Sequence, residues 1–129
     1  MGFYVSMQSS FVVIKKKNLQ KAFRAIKNLA KKETFLSWVD PAEVRKARNF
    51  AAAMKAFRWE VYFSKKTGDT CELEFHGTKL GCERMLFDTL APFIENHSEI
   101  SMTGEENSYW KWVFWDGKCS EKRGVIEYY

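Results

Sequence analysis

The sequence has few of the prolines, glycines and cysteines that are abundant in disordered, fibrous or disulfide-rich chains. Only two prolines, seven glycines and three cysteines occur among its 129 residues, and there is no low-complexity run. Because 46% of the residues are hydrophobic, this composition excludes a disordered or fibrous chain. It predicts one globular domain over residues 1–129, a length sufficient to bury a hydrophobic core.

Cysteine and histidine are too scarce for a disulfide framework or a structural zinc site. Cys71, Cys82 and Cys119 form no C-x-x-C pair, and an odd number cannot all be paired, so we expect free and mostly buried thiols. His76 and Cys82 are six positions apart, and no second close pair accompanies them. The sequence predicts no metal, no cofactor and a reducing compartment.

Long apolar runs are also missing. No stretch approaches the roughly 18 consecutive apolar residues that read as a membrane span. The first residues lack the basic and apolar regions of a signal peptide. We therefore expect a cytoplasmic protein with no membrane partner.

Acidic residues are scarce in the first part of the chain. Residues 1–58 carry thirteen Lys and Arg against three acids, a net charge of +10, whereas residues 59–129 carry eight against thirteen, a net charge of −5. Such a separation of charge steers encounters with partners but selects neither a fold nor a reaction.

The basic residues of the first part follow helical spacing. Leu19, Ala22, Phe23, Ile26, Leu29 and Ala30 recur with the helical period. The opposite face of this helix carries Lys17, Lys21, Arg24, Lys27 and Lys31. An amphipathic helix with a basic stripe is predicted.

A second helix is predicted to begin at Asp40. Asp40 is an N-cap residue, Pro41 suits the first helical position, and Glu43 lies three residues after the cap. The residues predicted to face inward are Val44, Ala47, Ala51 and Met54. The outer face adds Arg45, Lys46, Arg48 and Lys55 to the basic surface.

The rest of the chain alternates mainly with the period of strands. We predict strands over residues 3–14, 57–64, 71–76, 99–102, 109–115 and 118–129, and a third helix over residues 78–94. Asp116-Gly117 predicts a type I′ hairpin turn. This order predicts an α+β fold, a ferredoxin-like split βαββαβ sandwich with an extra helix and an added C-terminal β-hairpin.

The strand over residues 109–115 is apolar or aromatic on both faces. Trp110, Trp112 and Phe114 lie on one face, and Tyr109 and Trp115 lie on the other. One interpretation is that the strand is central and a connection such as residues 34–39 covers its second face. The other is an exposed patch around Tyr109 and Trp115, used for self-association, partner capture or base stacking.

Three groups suggest chemistry, and each has a simpler structural explanation. Cys82 near a helix start with His76 or His97 could form a nucleophile pair, but Cys82 also lies on that helix's apolar side. Glu72 and Glu74 share a strand face, which is ordinary for solvated carboxylates. The glycines around residues 77–81 lack the phosphate-loop spacing. No catalytic residue is predicted.

Several short segments together resemble a group of small proteins. They are S-W-V at 37–39, G-T-K-L-G at 77–81, L-A-P-F-I at 90–94, T-G-E at 103–105, and W-K-W-V-F with G-K over 110–118. They resemble small uncharacterised α+β proteins of bacteria and their phages with a C-terminal W-x-W-V-F-x-x-G-K hairpin. The resemblance implies a phage-borne protein that inhibits a host complex, such as a defence complex, by occupying its surface. It implies no activity, cofactor or catalytic residue.

The sequence favours a non-enzymatic binding protein over an enzyme. Its candidate binding residues are Lys17, Lys21, Arg24, Lys27, Lys31, Arg45, Arg48, Lys55, Tyr109 and Trp115. The expected partner is a protein with an acidic surface, or alternatively a nucleic acid whose phosphates meet the basic helices. Assembly into a homo-oligomer and a small enzyme built on Cys82 or Glu72/Glu74 are further alternatives.

Overall fold

The fold is described from a computed structural model covering residues 4–32, 36, 38–105 and 108–125. Its helices are α1 Leu19–Lys32, α2 Pro41–Lys46, α3 Phe50–Ala56 and α4 Glu83–Leu90, with short 3₁₀ turns at Lys16–Asn18 and Ala91–Phe93. Its strands are β1 Val5–Phe11, β2 Trp59–Phe63, β3 Thr70–Phe75, β4 Glu99–Gly104, β5 Ser108–Trp115 and β6 Lys118–Val125. The prediction of an α+β fold is confirmed.

The strands form two antiparallel sheets. One has the order β1-β4-β5-β6, and the other is the hairpin of β2 and β3. The β5–β6 hairpin turns at Asp116 and Gly117, where φ is +52° and +75°. Two positive φ angles are what a type I′ turn requires, so this turn is as predicted. The predicted last strand, 118–129, is observed over Lys118–Val125, and its residues 126–129 lie outside the described residues.

Two hydroxyl groups join the sheets. The Thr70 Oγ1 accepts from the Ile14 N–H at 2.7 Å and donates to the Val12 carbonyl at 2.8 Å, while the Thr70 N–H donates to the Ile14 carbonyl at 3.0 Å. The Ser10 Oγ exchanges bonds with the Leu73 backbone, accepting at 3.0 Å and donating at 2.6 Å. Side-chain hydroxyls therefore replace part of a backbone ladder between β1 and β3.

Replacing Thr70 with valine is expected to lower the free energy of unfolding by about 1–3 kcal/mol. Valine keeps the shape of the buried side chain but leaves the Ile14 N–H and the Val12 carbonyl without the hydroxyl they share. Urea denaturation followed by circular dichroism measures the loss. Thr70→Ser keeps the hydroxyl and is the control. A loss as large in Thr70→Ser as in Thr70→Val would contradict the assignment to hydrogen bonding.

The predicted first helix is present, but the predicted second helix is divided. Ala47 is extended, with ψ of 139°, and Asn49 caps a separate helix by accepting from the Ala52 N–H at 2.8 Å. The break changes which side chains face inward, so Phe50 and Ala53 are buried whereas Ala51 is only half-buried. The continuous helix from Asp40 was therefore wrong, although its N-cap at Asp40 and its start at Pro41 are observed.

The third predicted helix is shorter than expected. It begins at Glu83, and Pro92 lies in the 3₁₀ turn that follows α4. Residues 78–82 precede it as an irregular segment in which Lys79 forms a bridge with Tyr4. None of the helices in the described ranges combines the length and apolar character needed to cross a bilayer.

Aromatic side chains fill the space between the four-stranded sheet and the helices. Trp112 of β5 lies with its ring centroid 5.0 Å from that of Phe87 in α4 and 6.4 Å from that of Trp59 in β2. Trp110 and Phe114 are buried on the same face of β5. Helix α4 therefore packs on the face of this sheet that carries Trp110, Trp112 and Phe114.

Candidate binding surface

Exposed cations are concentrated on and beside the helices α1, α2 and α3. The buried stripe of α1 consists of Ala22, Phe23, Ile26, Leu29 and Ala30, which turns the polar side of the helix outward. We call the resulting surface the basic face, and its exposed members are Lys17, Lys21, Arg24, Lys31, Arg45, Lys46, Arg48 and Lys55. It includes seven of the eight basic residues predicted to bind a partner.

Two cations hold α2 and its C-terminal end against α1. The Lys27 Nζ donates to the Ala47 carbonyl at 3.2 Å, and the Arg45 Nη1 donates to the Ala30 carbonyl at 3.1 Å. Lys27 is half-buried, and its ammonium lies 5.1 Å from the centroid of the Phe23 ring. Lys27, the eighth predicted binding residue, therefore has a structural contact, and Arg45 combines such a contact with an exposed position.

The cations of the basic face have no carboxylate partners among the described residues. The ion pairs found among the described residues, such as Arg84 with Asp88 at 3.0 Å, involve no member of the basic face. Elsewhere Lys111 pairs with Glu99. Where such a cation has no carboxylate partner, solvent ions compensate its charge, and an anionic partner would release or replace them.

The two aromatic candidates lie on the other side of the molecule. Trp115 is 57% exposed, and its ring packs edge-on to His97 with centroids 4.8 Å apart. Tyr109 is half-buried, with its ring beside Gly124. Both lie on the sheet face opposite Trp112, so the fold does not bring them together with the basic face. Half of the predicted covering segment at 34–39, namely residues 34, 35 and 37, lies outside the described residues.

The structure does not assemble the nucleophile considered for Cys82. Burial, with a smaller effect of Glu83, raises the pKa of the Cys82 thiol to about 11, which disfavours the reactive thiolate. Its side chain makes no capping hydrogen bond at the start of α4. Among the described residues no hydrogen bond joins Cys82 to His76 or His97. Burial likewise raises the pKa of Cys119 to about 11, and all three cysteines are free thiols.

The carboxylate cluster that does form differs from the Glu72/Glu74 pair considered above. Glu60 faces Glu74 across the β2–β3 ladder, and the His76 Nε2 lies 3.1 Å from Glu60 Oε2 and 2.9 Å from Glu74 Oε1. The Tyr62 hydroxyl donates to Glu74 Oε2 at 3.2 Å. Partial burial and the charge of Glu60 raise the pKa of Tyr62.

This solvated cluster is a hydrogen-bonded group on the exposed side of the β2–β3 hairpin. Facing carboxylates repel each other across a ladder, and the histidine supplies a donor between them. The three side chains offer ligand-type atoms within 4.8 Å of one another. Sequence reasoning missed Glu60 because the alternation of β2 gives its face but not its cross-strand neighbour.

Comparison of the chain with protein-family profiles, curated proteins and solved structures found no match. The role of the protein therefore has to be inferred from its own side chains. The basic face contains seven of the ten candidate binding residues.

Proposed function

We propose that the protein is a non-enzymatic binding protein that docks on the acidic surface of a partner protein through the basic face. The observation that carries this proposal is that eight exposed cations lie on or beside α1, α2 and α3, with no ion-pair partner among the described residues. Uncompensated like charges raise the rate of encounter with an oppositely charged surface and make binding sensitive to salt.

Charge reversal on the basic face is expected to weaken binding to an acidic probe by at least about tenfold, or 1.4 kcal/mol. The variant carries Lys17→Glu, Lys21→Glu, Arg24→Glu and Arg48→Glu. Lys27 and Arg45 are left unchanged because their hydrogen bonds hold α2. Anisotropy of a fluorescein-labelled glutamate-rich peptide at low salt measures the affinity.

The matched control reverses four exposed lysines elsewhere, Lys65, Lys66, Lys118 and Lys122. Both variants lose the same net charge, so only the position of the charge differs. The proposal expects the control to keep its affinity within about twofold. Equal weakening in both variants would mean that net charge alone attracts the probe and would overturn the assignment to the basic face.

Direct nucleic-acid binding is the second candidate, favoured by the alignment of cations along α1. Lys21 and Lys31 of α1 are separated by about 15 Å at 1.5 Å per residue, a length that spans more than one backbone phosphate. Labelled single- and double-stranded DNA and RNA distinguish this candidate. Tight binding with a logarithmic salt slope of about −0.9 per phosphate neutralised in a DNA duplex, lost on reversal of the basic face, would favour nucleic acid over protein.

The finer description of the fold is also a proposal. We propose that the two sheets together form a ferredoxin-like split βαββαβ sandwich to which β5 and β6 add a hairpin. Support comes from the antiparallel approach of β3 to the end of β1, through the backbone bonds from Thr70 to Ile14 and from Val12 to Cys71. In this proposal the strand order is β2-β3-β1-β4, followed by β5 and β6.

The cellular setting implied by the sequence resemblance is consistent with a docking role. In this proposal the protein is cytoplasmic and phage-borne, and it inhibits a host complex by covering an acidic surface. Trp115 and Tyr109 provide an alternative docking surface on the opposite side of the sheet. Full inhibitory activity in cells of both the basic-face reversal and a Trp115→Ala variant would exclude both surfaces.

A further inference from the structure

A groove of about 330 Å³ lies within the basic face, between the start of α1 and the start of α3. Its apolar lining consists of Leu19, Phe23, Phe50, Ala51 and Phe63. Exposed polar side chains also line it, contributed by Gln20, Arg48 and Asn49. Three phenylalanines from separate parts of the chain therefore meet at a surface that is otherwise basic.

The fold leaves part of the apolar lining exposed to solvent. Phe23 and Phe50 are nearly buried, at 8% and 5% exposure, but Phe63 at the end of β2 is 40% exposed. Removing its ring from water by contact with another apolar group would be favourable. The groove thus offers a place for an apolar side chain supplied from outside.

The charges around the groove indicate which groups would flank an apolar side chain bound in it. Arg48 lines the groove, and Lys21 and Arg24 follow the lining residues Gln20 and Phe23 on α1. No acidic side chain lines it among the described residues. The surroundings favour an apolar group flanked by carboxylates.

We infer that the groove receives a bulky apolar side chain from an acidic segment of the partner protein. This inference rests on the proposed function and specifies its partner: an aromatic or aliphatic anchor enters between α1 and α3, and neighbouring Asp or Glu side chains pair with Arg48, Lys21 and Arg24. Such an arrangement places an apolar contact at the centre and charge at the rim of the interface.

Two labelled glutamate-rich peptides, identical except for a central Phe or Ala, test the inference by fluorescence anisotropy. We expect the wild-type protein to bind the Phe peptide about tenfold more tightly than the Ala peptide. Ala51→Phe, which fills the groove, and Phe63→Ala, which removes its exposed wall, are each expected to abolish the preference. Circular dichroism verifies that both variants remain folded.

Matched controls use the same substitutions outside the groove. Ala52→Phe lies on the exposed side of α3, and Phe11→Ala removes an exposed ring from β1. Both should keep the preference for the Phe peptide. A preference that survives Ala51→Phe and Phe63→Ala, or is lost equally in the controls, would overturn the groove as the binding site.

The remaining outcomes separate this inference from the proposed function. If both peptides bind equally and reversal of the basic face weakens their binding, the groove inference is overturned and the proposed function is kept. Binding of neither peptide at low salt would overturn the proposed function with it. Binding of single-stranded DNA that is lost in the Ala51→Phe variant would assign the groove to a nucleobase and overturn the inference. Concentration-dependent self-association that is lost in the same variant would assign the groove to a second copy of the chain and also overturn it.

Discussion

Replacing Glu83 with alanine is expected to lower the free energy of unfolding by about 3–5 kcal/mol, because the change leaves the half-buried Arg58 cation without its anion. The Glu83 Oε1 accepts from the Arg58 Nη2 at 2.7 Å and from the Gly81 N–H at 3.1 Å, and the Glu83 side chain is 2% exposed. Arg58 also donates to the Lys79 carbonyl at 2.9 Å. The pair thus ties α4 to β2 and to the segment that joins β3 to α4.

A double-mutant cycle tests this interpretation. Burial raises the pKa of Glu83 even though Arg58 lies beside it, so attraction within the pair does not fully offset the cost of removing the carboxylate from water. The double variant Arg58→Met with Glu83→Leu should therefore lose less stability than either single variant. Urea denaturation gives the three values, and losses that simply add would contradict a coupled pair.

The pH dependence of stability gives an independent check. A carboxyl whose pKa is higher in the folded state binds its proton more tightly there, so its stabilising effect is complete below the unfolded pKa of about 4.3 and is lost as pH rises through the folded pKa. The stability of wild type relative to Glu83→Gln should therefore fall as pH rises above about 4.3. The opposite slope would show that the attraction of Arg58 lowers the pKa of Glu83 by more than burial raises it.

Elements marked by local signals could be predicted from the sequence. The apolar period of α1, the cap at Asp40 and the Asp116-Gly117 turn depend on neighbouring residues alone, and each is observed. The break after α2 was missed because apolar residues continue with helical spacing across it. Asn49 caps a new helix there. Its side chain offers the backbone an alternative to a continuous helix, and packing of the fold selects that alternative.

The composition of the basic face could also be predicted, but not the role of each residue. Exposure of Lys21 and Arg24 follows from their position opposite the apolar stripe of α1. The bonds that occupy Lys27 and Arg45 depend on how α2 crosses α1, which no spacing within one helix specifies. The groove was missed for the same reason, since Phe63 reaches it from a strand that alternation alone assigns to the core.

Replacing Trp112 with alanine is expected to lower the free energy of unfolding by about 3–5 kcal/mol, as for other large-to-small changes in cores. Trp112 is 1% exposed, and its Nε1 donates to Glu121 Oε1 at 3.2 Å. Its ring contacts those of Phe87 and Trp59, so alanine would leave a cavity between β5, α4 and β2. The loss is a large fraction of the 5–15 kcal/mol that stabilises a typical domain.

Trp115→Ala is the matched control, because it removes the same side chain from the same strand. Trp115 lies on the opposite face and is 57% exposed, so its removal should cost less than about 1 kcal/mol. Urea denaturation and near-ultraviolet circular dichroism measure both variants. Because side chains alternate along a strand, equal losses would mean that the outer face of β5 is packed as tightly as the inner one, which would contradict its role as an open surface.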